Sequence, residues 1–594
     1  MSGDVERQSM DVDIACVGFG PATAGFLASL SKSLVNPDGS PAIESRVMPG
    51  LPLQVVCYER ADDVGFGVSG IVTRARGIRA SLPELDFSQI PMAAAVVDEK
   101  VVYLLDPAGA SRRSLALRVV DRMVRALRLH RDLGCELPYA PPFLRKDGGV
   151  VLSMGQFMQH VAGEISSSGL VQIWPGMPVA EALPGETEGS VGGIRLTDQG
   201  VERGMDIHAA LTVIGDGPVG AVGRQLDERL GMPEGHHHRE WALGMKFVVD
   251  LPETTELIPG TVLHTIGYPE PEIFGFLYVH PGNVASVGIF VPSWFRSPMR
   301  TGYRYLQHYV THPYLWRRLK GGKLRSWGAK SLEESGRRGE PFLVGDGFAR
   351  IGEGSGSTNV LTGSGVDEAW TTGTQLAQAV VGLARDGQPF TRENLHRTYV
   401  ALRRSSRLEQ ESRIAEKSRD GFHRGVVTGM VGMALAGLTG GKFSVGGEPR
   451  PAPPIDRFYA GKIRADEVQR IVADCRAKGI TSHDALMDAC GWPAVPFDGE
   501  FLVTHQDALL VGGKVQATAG CADHVQFREP DLCEACAGKL CIEMCSGQAI
   551  TPGSDGVPAF DREKCIYCGA CLWNCPNGAI AFHAGAGGLH SSEN

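Results

Sequence analysis

At 594 residues the chain exceeds what one hydrophobic core ordinarily holds, so several domains are expected. Hydrophobic residues make up 43% and charged residues 21%, a globular balance that argues against disorder. The net charge of −9, with no long basic block, argues against nucleic acid as a partner. The polar start MSGDVERQSMDVD has no n-region or h-region of an export signal, so a cytoplasmic location is expected.

Taken in chain order, Asp11 to Gly18 reads as a buried first strand. It breaks into Gly18-Phe19-Gly20-Pro21-Ala22-Thr23, a variant of the dinucleotide fingerprint G-x-G-x-x-G. Gly18 and Gly20 let backbone N–H groups approach a pyrophosphate, and a helix starting near Pro21 and Ala22 points its positive end there. Thr23 replaces the third glycine, which predicts a slightly wider helix–strand spacing. Leu53 to Arg60 reads as the second strand, with Glu59 at its end to accept from ribose hydroxyls. A Pro/Gly/Ser-rich insertion, 36–50, lengthens the gap between the two.

The polar loop PEGHHHRE, with His236, His237 and His238, reads as an exposed loop rather than a metal site. Two later strands end in glycine and an acid, at Gly215-Asp216-Gly217 and at Gly352-Glu353-Gly354. In flavoproteins of this build such an acid meets the ribityl chain. Asn359 follows, and a helix from Gly365 through Ala379 aims its N-terminus at an isoalloxazine ring. Three such segments in this order fit FAD. After Arg424 the stretch GVVTGMVGMALAGLTGG carries no charge until Lys442, short and glycine-rich for a membrane span. A Pro-rich linker, GGEPRPAPPIDR, follows.

Eight of the fourteen cysteines fall between Cys533 and Cys575, a clustering that favours metal ligation over disulfides. Cys565, Cys568, Cys571 and Cys575 form C-x2-C-x2-C-x3-C-P, a ferredoxin signature; a zinc site is the alternative. Cys533, Cys536, Cys541 and Cys545 form a longer run, C-x2-C-x4-C-x3-C. In two-cluster ferredoxins the fourth cysteine of each run ligates the other cluster. One [4Fe-4S] cluster then takes Cys565, Cys568, Cys571 and Cys545, and a second takes Cys533, Cys536, Cys541 and Cys575. Cys16, Cys57, Cys135, Cys475 and Cys490 read as ordinary thiols, while Cys521 is near enough to replace a ligand of the first run.

Over most of its length the sequence resembles the electron-transfer flavoprotein–ubiquinone oxidoreductase family. The resemblance rests on GFGPATAG, on VVCYER with Glu59 and Arg60, on His264-Thr265-Ile266-Gly267-Tyr268-Pro269, and on ARIGEGSGSTNVLTGSGVDEAWTTG. CSGQAI followed by CIYCGAC is similar to the family's cluster ligands, which fall on Cys545, Cys565, Cys568 and Cys571. The family's Tyr-Gly-Gly quinone contact is met only as Phe274-Gly275-Phe276, and its single cluster leaves Cys533, Cys536, Cys541 and Cys575 unmatched.

What the resemblance implies is an α/β chain with a Rossmann-like FAD-binding domain, an inserted antiparallel sheet and a C-terminal α+β ferredoxin-like domain. The expected divisions are 1–250 with 341–420, then 251–340, a membrane-contact segment and linker at 421–455, and 456–594. The implied activity passes electrons from reduced electron-transfer flavoprotein through iron–sulfur and FAD to a membrane quinone. Phe274 and Gly275 are then the quinone candidates, and the chain sits peripherally on the cytoplasmic face of the membrane. The rival readings are a soluble FAD-dependent reductase of the geranylgeranyl-reductase type and a non-catalytic electron carrier.

Overall fold

The computed structural model describes residues 7–65, 70–199, 202–238, 240–295, 302–447, 462–511 and 522–585. Its first strand, Ser9–Val17, ends in an unbroken apolar run and lies parallel between Val55–Tyr58 and Asp206–Ile214. Strands covered on both faces need such runs. Phe348–Arg350 extends the sheet beside Asp206–Ile214, and Val171–Trp174 extends it beside Val55–Tyr58. On this sheet the helices Pro21–Ser31 and Val366–Arg385 pack unusually close. A Cβ on Gly373 would stand 1.9 Å from the Ala22 carbonyl oxygen, and one on Gly25 would stand 2.6 Å from that of Trp370.

Thr23 is fully buried without widening this layer. The room comes from Gly215 on the neighbouring strand, where a Cβ would meet Thr23 Oγ1 at 2.3 Å.

A second sheet runs in the order Lys323–Glu333, Trp241–Asp250, Val284–Pro292, Phe274–His280, Thr261–Ile266, Asp98–Leu104 and Gly134–Glu136. All its pairings are antiparallel except the one between Thr261–Ile266 and Asp98–Leu104. It therefore takes in more chain than the expected 251–340. Trp241–Asp250 is a central strand bonded on both edges, and two further strands come from the N-terminal third. Leu243, Met245, Phe247 and Val249 alternate into a core with Trp327, Tyr305 and Tyr309.

The expected C-terminal division at 456–594 also splits. The helices Ala465–Ala477, His483–Ala489 and His505–Val511 bring Trp492 and Phe501 into the core of the second sheet. Only 522–585 forms the ferredoxin-like unit, which holds two small antiparallel pairs, Val525–Phe527 with Ile580–Phe582 and Ile550–Thr551 with Ala559–Phe560. Cys521 and most of the Pro-rich linker lie outside the described residues.

Candidate functional site: a dinucleotide cradle joined to eight cysteines

Four neighbouring parallel strands end in the predicted motifs, so Gly18, Glu59, Gly215 and Gly352 meet at one edge of the sheet. The three glycine loops touch through backbone. A Cβ on Gly18 (φ +81°) would lie 3.0 Å from the Gly215 oxygen, and one on Gly352 (φ +75°) would lie 2.9 Å from Ala22 Cβ. A Cβ on Gly354 would lie 2.6 Å from the Gly217 oxygen, which closes the ring of loops.

In front of Gly20 there is open space, and the helix it caps, starting at Pro21, has no side-chain cap on its first-turn N–H groups. Gly365 caps Val366–Arg385 in the same bare way. Two uncapped helix starts beside a glycine ring suit the pyrophosphate and electron-rich ring edge of a flavin dinucleotide. The residues present fit FAD.

The acids also have partners within the fold. Asp216 Oδ2 accepts from the Gly223 N–H at 2.9 Å and so caps the helix Ala221–Leu230; burial pushes its carboxyl up to about 6. Glu353 Oε1 accepts from the Glu333 N–H at 3.2 Å, which turns this carboxyl toward the edge of the second sheet. Asn359 Oδ1 accepts from the Leu361 and Thr362 N–H groups, both at 3.1 Å, and holds its own turn. Glu59 Oε2 accepts from the Phe19 N–H at 2.7 Å, across the mouth of the cradle.

The eight tail cysteines, all free thiols, divide between two adjacent cavities. One is lined by Cys533, Cys536, Cys541 and Cys575. The other is lined by Cys545, Cys565, Cys568 and Cys571. Each cavity draws its fourth thiol from the other run. Burial, aided by the other thiols of its cavity, pushes Cys541 up to about 12. Burial and Cys545 do the same to Cys568. Four thiols that oppose one another's ionisation around one shared cavity, at ferredoxin spacing, suit a cationic cubane of iron and sulfide.

The second cavity already carries donors for cluster sulfurs. Cys565 Sγ lies 3.1 Å from His524 Nε2 and 3.3 Å from the Tyr567 N–H, and Cys545 Sγ accepts from the Ala549 N–H at 3.1 Å.

This cysteine loop sits directly on the cradle. The Arg60 guanidinium lies 3.9 Å over the Tyr567 ring, between Cys565 and Cys568 in sequence. Gly569 (φ +74°) presses on the loop after Asp216, where a Cβ would stand 2.8 Å from Val219 Cγ1. The Ser331 N–H donates to the Cys568 carbonyl at 2.8 Å, and Trp573 Nε1 donates to Ser331 Oγ at 2.8 Å. The loops after Glu59 and Asp216 thus touch the Cys565–Cys571 loop directly.

Phe274 packs edge-on against Phe422 at 6.0 Å, and Phe422 packs on Trp294 at 5.0 Å, in a cluster that includes Met433. Gly275 faces the opposite side of the sheet, where a Cβ would meet Tyr309 Oη at 2.6 Å. Among the predicted histidines, His238 Nδ1 pairs with Glu333 at 2.6 Å and His236 Nδ1 bonds the Glu340 carbonyl at 2.7 Å, so the loop is tied down rather than free in solvent.

The sequence reading passed over one element. Leu115–Ala126 is a helix with no buried residue, which leaves Leu115 76%, Val119 46% and Met123 55% exposed at four-residue spacing. Arg118 and Arg122 lie between them and Arg125 follows. The apolar i, i+4, i+8 pattern with interleaved arginine in LALRVVDRMVRALR was the available signal. A second apolar surface, on Val426–Thr439, exposes Val427, Val431 and Leu438. Phe143 touches this second helix at Gly437.

The fold and site together define a protein of the dinucleotide-binding α/β class, with an antiparallel sheet domain and a ferredoxin-like tail. Residues 241–332 match the family model described as ETF-QO, ubiquinone-binding, and 558–581 match the 4Fe-4S binding domain. The chain is similar in sequence to electron transfer flavoprotein-ubiquinone oxidoreductases. It is 27% identical over 419 residues to the probable mitochondrial member of Schizosaccharomyces pombe, covering 67% of this chain and 60% of that protein. To the Arabidopsis thaliana mitochondrial member it is 26% identical, covering 73% and 64%, and to that of Pseudomonas aeruginosa 26%, covering 63% and 64%. The chain thus spans about 60–64% of the length of these relatives. Among solved structures, a geranylgeranyl bacteriochlorophyll reductase-like protein from Thermoplasma acidophilum aligns with a TM-score of 0.48 at 14% identity, over 81% of this chain and all of that one.

Proposed function

We propose that the chain passes electrons from reduced electron-transfer flavoprotein, by way of two [4Fe-4S] clusters and FAD, to a quinone in the membrane. The observation that carries this is the seating of the Cys565–Cys571 loop on the FAD cradle, next to a sheet that matches a ubiquinone-binding model. When bound, the clusters and flavin supply one- and two-electron redox chemistry. The chain's own residues hold them in place. Cys533, Cys536, Cys541 and Cys575 would hold the outer cluster, and Cys545, Cys565, Cys568 and Cys571 the inner one. Gly18, Gly20, Glu59 and the start of Val366–Arg385 would hold FAD.

His524 is 2% exposed and wedged among Tyr567, Phe560 and Phe582. A thiolate only accepts, so His524 Nε2 donates to Cys565, and hydrogen bonds to cluster sulfurs raise reduction potentials. Replacing His524→Phe is expected to lower the potential of one cluster and leave iron content unchanged, measured by redox titration followed by electron paramagnetic resonance.

Contact with the membrane, peripheral and on its cytoplasmic face, is assigned to Leu115–Ala126 and Val426–Thr439. Among the described residues no helix is long and apolar enough to cross a membrane. The first helix has the exposed apolar row and interleaved arginines of an interfacial segment, and arginines near anionic lipid contribute about 1 kcal/mol each. The triple change Leu115→Glu, Val119→Glu and Met123→Glu buries no charge, so the thermal unfolding midpoint stays put. Co-sedimentation with anionic vesicles is expected to weaken by at least about tenfold.

The function itself is tested by anaerobic quinone reduction with reduced electron-transfer flavoprotein as donor. Turnover supports it; none, in protein with FAD and iron confirmed, overturns it.

A further inference from the structure

The strand Trp241–Asp250 sends Leu243, Met245, Phe247 and Val249 into the core, so Lys246 belongs to the opposite face. It is 2% exposed, and its Nζ has no hydrogen-bond partner. A buried amine left unpaired is costly, and a fold keeps one where a ligand completes it. Burial holds the pKa of this amine well below its ordinary range, and in either protonation state Nζ carries hydrogens to donate.

The surroundings limit what that ligand can be. Lys246 pairs across strands with Gly288 on one side and Gly328 on the other. A Cβ on Gly288 would stand 2.7 Å from Lys246 Cβ and 2.6 Å from Phe276 Cζ, so glycine is what lets lysine and ring lie side by side. Phe276 stacks on Tyr278 at 4.7 Å and tilts on Phe290 at 5.3 Å. His280, further along the same strand as Phe276, is satisfied on both nitrogens, by the Met92 carbonyl and Ser286 Oγ, each at 3.0 Å. It has nothing left to offer Lys246.

From Phe276 the aromatic row continues to Phe274, Phe422 and Trp294, and so to Met433 on the exposed helix Val426–Thr439. One end of this face is apolar and reaches the proposed membrane side. The other end holds the Lys246 amine, with Ser326 Oγ, also without a partner, two positions along the same face. A ligand with an apolar tail and a carbonyl-bearing ring matches that layout; a sugar-like ligand, polar all round, would leave most of its hydroxyls unpaired against the aromatic row.

We propose that Lys246 donates from Nζ to a carbonyl oxygen of the quinone headgroup and is the polar anchor of the quinone site. This rests on the quinone reading above.

The test uses holoprotein carrying Lys246→Met, with Lys246→Gln as the variant that keeps an N–H donor. A lysine with a structural partner would destabilise the fold when removed. An anchor waiting for ligand leaves the unfolding midpoint of Lys246→Met unchanged or raised. Binding of a short-chain ubiquinone analogue to Lys246→Met is expected to weaken at least tenfold, and KM to rise with it. Lys246→Gln should recover part of the affinity, and flavin reduction by dithionite should run at the wild-type rate in all three proteins. Unchanged quinone affinity in Lys246→Met, or a lowered unfolding midpoint, overturns the anchor and leaves the quinone reading standing. A wild-type protein that binds no quinone at all overturns both.

Discussion

Replacing Cys545 by alanine is expected to halve bound iron, from about eight to about four per chain, and to stop quinone reduction while FAD stays bound. The reason is the crossed lining of the two cavities. Cys545 belongs to the first run in sequence, yet it lines the cavity of Cys565, Cys568 and Cys571. Anaerobically prepared single and double variants separate crossed from run-local ligation. Under crossed ligation Cys545→Ala with Cys565→Ala loses no more iron than Cys545→Ala alone, because both changes empty one cavity. Under run-local ligation the double variant would lose both clusters. Cys575→Ala should spare the inner cluster and remove the outer one.

The second large effect concerns the helix pair behind the cradle. Gly373→Val would place carbon 1.9 Å from the Ala22 carbonyl oxygen and 2.7 Å from the Phe26 nitrogen, both backbone atoms that no rotamer change can clear. The helices Pro21–Ser31 and Val366–Arg385 must then separate, at a cost of about 3 kcal/mol or more. Ala22 also touches Gly352, so the same shift opens the glycine ring. Loss of FAD on gel filtration and a lower unfolding midpoint are expected together. Gly382→Ala, on the same helix with nothing within 4 Å of its added carbon, is the control. It should be neutral or stabilise by about 0.5–1 kcal/mol.

The parts legible in the sequence are those where chemistry forces local spacing. Gly18 and Gly215 each end a strand whose apolar run is visible in the chain, Gly352 follows the short strand Phe348–Arg350, and the sheet brings those ends together. The crossed cysteine sets followed from spacing and from the ferredoxin rule alone. Long-range pairing was less legible. Asp98–Leu104 joins Thr261–Ile266 across more than a hundred residues, with no local signature of that partner, and carries Gly134–Glu136 into the sheet with it.

The roles of Asp216, Glu353 and Asn359 depend on which N–H lies nearest after folding, and all three turn to backbone groups that sequence does not position. Lys246 illustrates the converse. Nothing in GMKFVVD sets it apart from a surface lysine until the strand is seen to be central and its neighbours to be glycines.

The most direct test of electron passage through the cluster and flavin site to quinone is a two-step anaerobic mixing experiment. Protein loaded with iron and FAD is first reduced by electron-transfer flavoprotein and then mixed with a short-chain ubiquinone, with flavin and cluster absorbance followed throughout. Bleaching in the first step, and full recovery with quinol formation in the second, is the expected result. Protein that is reduced but not reoxidised by quinone, or that electron-transfer flavoprotein fails to reduce, would contradict it.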